Sequence, residues 1–279
     1  MKTVFIGGGR ITSALLAGLR LAGYRQPLIV HDRNAHKLRA LKREFKVATE
    51  PDFARAVEEA DLLIIAVRPQ DVMEVLARIC TAAAALPEMQ LKAKRRSHGT
   101  TYPIACSLAA GIPLAKLCGA LPKPYSWTRA MPSPAARFGR GLTAVAFEKS
   151  FPKPARNIVA RFFAHVGPVL EIAESQYDAF TVTYSTSHGY HALATLAKAA
   201  EKAGLDHRIA LSAAAHALAD GVLAWREGNL SLEKLLEEAA TPGGIAASVM
   251  NTMDAQGYSQ IVERSLRAGI ARARQNAKR

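Results

Sequence analysis

The run Thr3-Val-Phe-Ile6, followed at once by Gly7-Gly8-Gly9 and an amphipathic stretch, constrains this chain more than any other feature. An apolar β-rich tetrapeptide, a glycine turn and a helix start, in that order, are what a dinucleotide site needs. Gly7 permits the tight turn, and Gly9 lets the backbone approach a pyrophosphate. Arg10 and Ile11 then fall in the first helical turn, where free N–H groups and the positive helix end face the phosphates. Ile11, Leu15, Gly18 and Leu19 make one face of that helix. The third glycine of a G-x-G-x-x-G pattern is replaced by Thr12, a small departure in volume. Glycine turns also follow strands where nothing binds, so the context must carry the reading.

That context repeats along the first half of the chain. Pro27–His31 reads as a second strand ending at Asp32-Arg33-Asn34, about twenty residues past the glycines, where an adenosine ribose is read. Asp32 suits the two ribose hydroxyls of NAD. Arg33 suits the 2′-phosphate of NADP, with Asn34, His36 and Lys37 as helpers, and the basic surroundings favour NADP (NADPH). Asn34 can equally serve as cap of a helix over residues 35–45. A short edge-like strand over Phe45–Thr49 and a helix near Asp52–Glu59 follow. The apolar run Asp61–Val67 has the composition of a parallel strand covered on both faces. It stops at Arg68-Pro69-Gln70, where a helix begins over Asp71–Cys80. Ala66, Val67, Arg68 and Pro69 therefore belong to the same crevice as Gly7 and Gly9, at the carboxyl ends of the strands.

The basic stretch over residues 88–102 reads as a surface loop. Strands then follow over residues 104–109, 127–131, 142–147 and 167–172, with helices near 113–121 and 154–165. A proline- and glycine-rich loop, Met131–Gly141, separates two of these strands and contains Ser133. Strands alternating with helices predict an α/β fold with a Rossmann-type, doubly wound sheet over residues 1–173. From residue 174 to 279 the chain is alanine-rich and helical in period, with breaks at Gly204, Gly228 and Pro242-Gly243-Gly244. About five helices with broad apolar faces predict a helical dimerisation domain.

The net charge of +14 and the pI near 10.0 raise a nucleic-acid partner. The positive residues are scattered, however, outside 92–98 and the tail after Arg272, and no nucleic-acid-reading motif accompanies them. Anionic small ligands and solvated basic surfaces are the expectation, with no specific nucleic acid. No apolar run reaches the roughly 20 residues of a membrane span. Met1-Lys2 leads straight into a strand without a secretory signal, and Cys80, Cys106 and Cys118 lack metal spacing. A reducing cytoplasm and no metal are expected.

Over its whole length the chain resembles the pyrroline-5-carboxylate reductases. The resemblance rests on Phe5-Ile-Gly-Gly-Gly9, Ala66-Val-Arg-Pro-Gln70, Ser107-Leu-Ala-Ala-Gly-Ile112, Arg129-Ala-Met-Pro132 and Gly139-x-Gly-x-Thr143. Gly167–Glu171, Asp178-Ala-x-Thr181 and Thr241-Pro-Gly-Gly244, running to Met253-Asp254, complete it. It implies hydride transfer from NAD(P)H to the C=N carbon of a cyclic imino acid, a homodimer, and in many members a ring of dimers. A substrate carboxylate would meet the helix start at Gly243, Gly244, Ile245 and Ala246, with Thr241 as N-cap and Pro242 at the first helical position.

Departures from the family pattern cluster on the substrate side. Ser133-Pro134-Ala135 stands where the family has Asn-Thr-Pro. Tyr184-Ser-Thr-Ser-His-Gly-Tyr190 replaces Ser-Gly-Ser-Gly-Pro-Ala-Tyr, Ala246 replaces a Thr, and Arg10 an Asn. His188 is the new group able to donate a proton to an imine nitrogen, with Tyr184, Ser185 and Ser187 as hydroxyl donors. A helix-start histidine bonded to backbone or water is the plainer reading of His188. The expectation is an NAD(P)H-dependent reductase of pyrroline-5-carboxylate or a related imine. The alternative is a non-catalytic cofactor-binding dimer.

Overall fold

A computed structural model describes residues 1–84, 103–121 and 125–278. The stretch expected as a surface loop over residues 88–102 lies outside them. The chain forms two compact units, one of Met1–Tyr184 with Gly269–Arg279 and the other of Ser185–Ala268.

The first unit is built on an eight-stranded sheet. Its strands are β1 (Thr3–Ile6), β2 (Leu28–His31), β3 (Ala48–Thr49), β4 (Leu62–Ile65), β5 (Ile104–Ser107), β6 (Ser126–Pro132), β7 (Thr143–Phe147) and β8 (Val169–Glu171). Their order is β3-β2-β1-β4-β5-β6-β7-β8. β1 to β6 run parallel, β7 pairs antiparallel with β6, and β8 follows β7 in parallel. The link from β6 to β7 holds only a 3₁₀ turn, Pro134–Phe138. It is too short for a crossover, so β7 must turn back.

Helices cover both faces of the sheet. α1 (Arg10–Leu21), α2 (Ala35–Phe45) and α6 (Lys153–Ala164) share one core with Phe5, Val30 and Ile64. α3 (Phe53–Glu58), α4 (Val72–Ala84) and α5 (Leu114–Ala120) share the other with Val4, Leu63 and Ile65. Because the central strands are buried on both sides, β1, β2, β4 and β5 carry no exposed residue. One expected boundary moves. Phe45 closes α2 instead of opening a strand, with Lys46 in the left-handed conformation (φ 52°) as its C-cap.

Two later segments also belong to this unit, α7 (Tyr177–Thr183) and the end of α12 (Tyr258–Lys278). Gly111, at φ +76°, lies so close to α12 that an added Cβ would sit 2.3 Å from the carbonyl oxygen of Ala273. Lys116 Nζ donates to the carbonyl of Ala277 at 2.7 Å.

The second unit contains α8 (Ser187–Lys202), α9 (His207–Glu227), α10 (Leu232–Ala239), α11 (Ile245–Ala255) and the first part of α12. α8 and α9 pack together. Ala197, Ala210 and Ala214 are buried, as small residues at a close helix crossing allow. Among the described residues six α-helices follow Glu174, one more than expected, because the chain also breaks at Tyr184–Thr186. No helix among the described residues is long and apolar enough to cross a membrane.

Candidate functional site

A cleft of about 1130 Å³ opens at the carboxyl ends of β1, β2 and β4. Its floor is the glycine turn. Gly7 has φ +108°, and a Cβ there would meet the carbonyl oxygen of Ala66 at 2.6 Å, so only glycine fits. Gly9 is different. Its backbone is ordinary (φ −82°, ψ −171°) and an added Cβ would meet nothing within 4 Å. No neighbour in the fold demands a glycine there. The space beside it belongs to the cleft, at the end of a helix without a side-chain cap. A bare backbone and unpaired helix amides facing an open hollow fit a pyrophosphate.

Thr12, the departure from the third glycine, is fully buried and donates its hydroxyl to the Gly7 carbonyl at 2.6 Å. It closes the turn that the glycine motif otherwise closes by close packing. Gly18, further along α1, allows the helix to press on the 134–138 turn, where a Cβ would lie 2.0 Å from the Ala136 carbonyl oxygen.

Asp32 braces the same turn from β2. One carboxylate oxygen accepts from the Gly8 amide at 2.8 Å and the other from the Asn34 amide at 2.8 Å. Lys37 Nζ stands 3.6 Å away. Asn34 caps α2 by accepting from the amides of His36 and Lys37. Arg33 is exposed on the cleft wall. Arg10, Ile11, Ala66, Val67 and Arg68 line the cleft as well. Pro69 opens a 3₁₀ turn, Pro69–Asp71, at its edge.

Ser133, expected beside the cofactor, sits away from the cleft surface. It is buried, it does not line the cleft, and its hydroxyl accepts from the Ala135 amide at 3.0 Å. It caps the turn, while Pro134, Arg137 and Phe138 reach the cleft instead. Sequence reasoning also missed Phe53 and Arg78, because nothing in the periodicity of α3 or α4 says which side chain meets the end of β2. With Arg10, Arg33, Lys37, Arg68, Arg78 and Arg137 against Asp32, Asp71 and Glu74, the wall is predominantly cationic. Such a wall suits a polyanion.

Behind β6, Arg129 is 1% exposed and donates to Glu174 at 2.8 Å, with Asp178 at 3.5 Å and the Tyr177 ring 3.8 Å from its guanidinium carbon. Glu174 also accepts from the Leu114 amide at 2.8 Å. Burial pushes the Tyr177 phenol well above its ordinary range, and the Arg129 charge opposes that only in part. This ionic knot fastens α7 to the sheet.

The substrate-side residues fall as follows. Tyr184 ends α7, and its hydroxyl donates to the Leu142 carbonyl at 2.8 Å. The Tyr184 hydroxyl, expected as a donor to the substrate, is thus directed at a backbone carbonyl. His188 is exposed in the first turn of α8, its amide bonded to the Ser185 carbonyl at 3.1 Å. The Ser185 and Ser187 hydroxyls bond one another at 2.7 Å. Thr241 is not a helix cap. Its carbonyl accepts from the Gly244 amide at 2.8 Å, Gly243 has φ +75°, and α11 begins at Ile245 with Gly244 as N-cap. Proline then glycine at the centre of a four-residue turn is the type II pattern. Ile245 and Ala246 occupy the uncapped first turn of α11, both exposed. His191, His207 and His216 bond to Thr195, Glu201 and Asp220. No His, Cys, Asp or Glu group suited to a metal gathers among the described residues.

Residues 2–88 match the family model described as NADP oxidoreductase, coenzyme F420-dependent, and residues 174–276 that described as pyrroline-5-carboxylate reductase dimerisation. The pyrroline-5-carboxylate reductase of Mycobacterium tuberculosis is 29% identical, over 98% of this chain and 96% of its own. That of Haemophilus influenzae is 26% identical over 97% and 96%. The Plasmodium falciparum pyrroline carboxylate reductase with NADP bound shares the fold, with a TM-score of 0.83 at 18% identity, covering 99% of this chain and 98% of that one. The Coxiella burnetii pyrroline-5-carboxylate reductase also gives 0.83, at 21% identity, covering 100% and 99%.

Proposed function

We propose that the chain is a member of the pyrroline-5-carboxylate reductase family, as its matches support, and that it reduces the C=N bond of 1-pyrroline-5-carboxylate to give L-proline. Gly9 is the observation that carries the cofactor half of the reading, since it lines the cleft at the uncapped start of α1 with open space beside it, room that a dinucleotide can fill. A bound nicotinamide supplies the hydride. The backbone at Gly7, Gly9, Arg10 and Ile11 holds the pyrophosphate, and Ala66, Val67 and Arg68 border the dinucleotide.

NADPH is the cofactor in preference to NADH. The Asp32 carboxylate is engaged by two backbone amides and Lys37, whereas Arg33 is exposed on the wall and suits a 2′-phosphate. The amides of Ile245 and Ala246 at the uncapped start of α11 hold the substrate carboxylate, with Gly243 and Gly244 shaping the turn. Thr241 acts through its turn-closing carbonyl. His188 would be the proton donor to the ring nitrogen of the imine. The working form is a homodimer, alone or within a ring of dimers. The free Cys80, Cys106 and Cys118 suit a cytoplasmic setting.

The test follows NADPH absorbance on adding pyrroline-5-carboxylate. We expect steady oxidation by the wild type, and His188→Ala to lower kcat by about 10²-fold with cofactor affinity unchanged. Unchanged kcat in that variant removes the proton role from His188. A wild type that binds NADPH yet leaves it unconsumed overturns the assigned substrate.

A further inference from the structure

α2 buries Leu38, Leu41 and Phe45 and turns its other side chains to solvent. Outside the cleft that exposed face and its C-cap carry Arg39, Lys42, Arg43 and Lys46 against one carboxylate, Glu44. Other basic side chains of the surface have acidic partners, as Lys2 has Glu59, Arg156 has Glu171 and Arg267 has Glu263. Among the described residues none of these four pairs with a carboxylate, and Arg39 bonds to the His36 ring at 3.0 Å. Arg39 stands three and four residues before Lys42 and Arg43, so like charges meet along the helix and cost it stability. The helix dipole favours Lys42 and Arg43 in the last turn, but it opposes Lys37 in the first and gives Arg39 nothing. Folding does not explain this charge.

The charged face ends at the cleft. Arg33, just before the cap of α2, and Lys37, in its first turn, both line the cleft wall. At roughly 1.5 Å per residue, Lys46 lies about 14 Å beyond Lys37 along the helix. We propose that the outer face of α2 is an electrostatic approach to the cleft, along which Arg39, Lys42, Arg43 and Lys46 gather a phosphorylated dinucleotide from solution and pass it to Lys37 and Arg33. The inference rests on the reductase reading, because it takes the ligand to be NADPH or NADH. It concerns the rate of arrival, not the contacts of the bound state. At physiological salt a charge is screened over about 8 Å. The far end of α2 therefore acts weakly on a ligand already seated, and strongly on one passing over the helix. Like-signed charge leading into a cleft raises association rates by on the order of 10–10³. The attraction grows with the charge of the ligand, so the 2′-phosphate gives NADPH the larger gain. Part of the preference for NADPH is then set before the ligand arrives.

Stopped-flow nicotinamide fluorescence on the full chain separates association from dissociation. A triple variant, Lys42→Gln with Arg43→Gln and Lys46→Asn, leaves the cleft residues in place, and Asn suits the left-handed backbone at position 46 (φ 52°). At low salt it should lower the NADPH association rate by about tenfold and the NADH rate by less, with both dissociation rates unchanged. At about 1 M salt, where screening acts within about 3 Å, wild type and variant should converge. An unchanged association rate in the variant overturns the proposal. So does a loss that persists at high salt, or one that appears in the dissociation rate, since either would put these side chains against the bound ligand. A wild type that binds neither dinucleotide overturns the reductase reading and the approach together. One that binds both at rates indifferent to salt overturns the approach alone.

Discussion

The two units bury their apolar residues by different means. In the first, helices on both sides of the sheet seal a core that includes Phe5, Leu63, Trp127 and Phe163, each no more than 1% exposed. In the second, α8 buries only Ala197, α9 only Ala210 and Ala214, and α10 nothing. Val222 and Leu223 stay 56% exposed and Trp225 50%. The first unit carries its own core. The second leaves an apolar surface of the kind that another subunit covers, in keeping with its match to a dimerisation model.

The sharpest way to break this contrast is to charge the open face. The wild type should be a dimer or a multiple of dimers by light scattering. Val222→Asp with Leu223→Asp should abolish assembly, and circular dichroism should show the helical signal falling with it. A wild type that stays monomeric at micromolar concentration would remove the reason for the exposed face.

Within the first unit, two glycines separate packing from binding. Gly7→Val collides with the Ala66 carbonyl and occupies a strained φ, so it should cost both stability and cofactor affinity. Gly9→Val enters open space, so NADPH affinity should fall by about 10²-fold or more while the melting temperature holds. A large drop in melting temperature for Gly9→Val would count against a ligand as the reason for that glycine.

A third effect is smaller. Arg129→Met keeps the bulk of the side chain but strips Glu174 and Asp178 of their cation. Those carboxylates are each about one-third exposed, so the loss should be about 2 kcal/mol in urea titration, below the value for a fully buried pair. No change would mean that solvent already screens the pair.

The smallest effect concerns alkaline pH. Burial, then Glu148, pushes the Cys118 thiol up to about 12, and burial pushes the Tyr125 phenol up to about 12. Between pH 9 and 12 the unfolded chain releases these protons while the folded chain keeps them. The folded state then binds more protons, so stability falls as pH rises through that window and is flat on this account near pH 7. Melting temperatures across the window should decline. A rise would reverse the assigned direction.

The Rossmann half was legible because its signals are local. β1, β2 and β4 are short runs dominated by apolar residues, the first two followed at once by Gly7 and Asp32, and Asn34 carries its capping chemistry in its own side chain. What escaped depends on partners distant in sequence. The Tyr184 hydroxyl goes to Leu142, 42 residues earlier, and no spacing announces that bond. Thr241-Pro242-Gly243 was misread because proline suits both a first helical turn and the second position of a type II turn. Only the φ of Gly243 separates the two. Arg78 and Phe53 escaped for a similar reason, since their meeting depends on how α3 and α4 lie over the ends of the strands.

The return of α12 to the first unit has a bearing on synthesis. Gly111 presses on Ala273, and Lys116 bonds to Ala277. A growing chain has all eight strands of the sheet in hand by residue 171, yet must emerge a further hundred residues or so before those contacts exist. Until then the surface around α5 stays uncovered, so the nucleotide-binding half matures in two stages. A ribosome that stalls within residues 185–268 would release a sheet that is fully paired but unclasped.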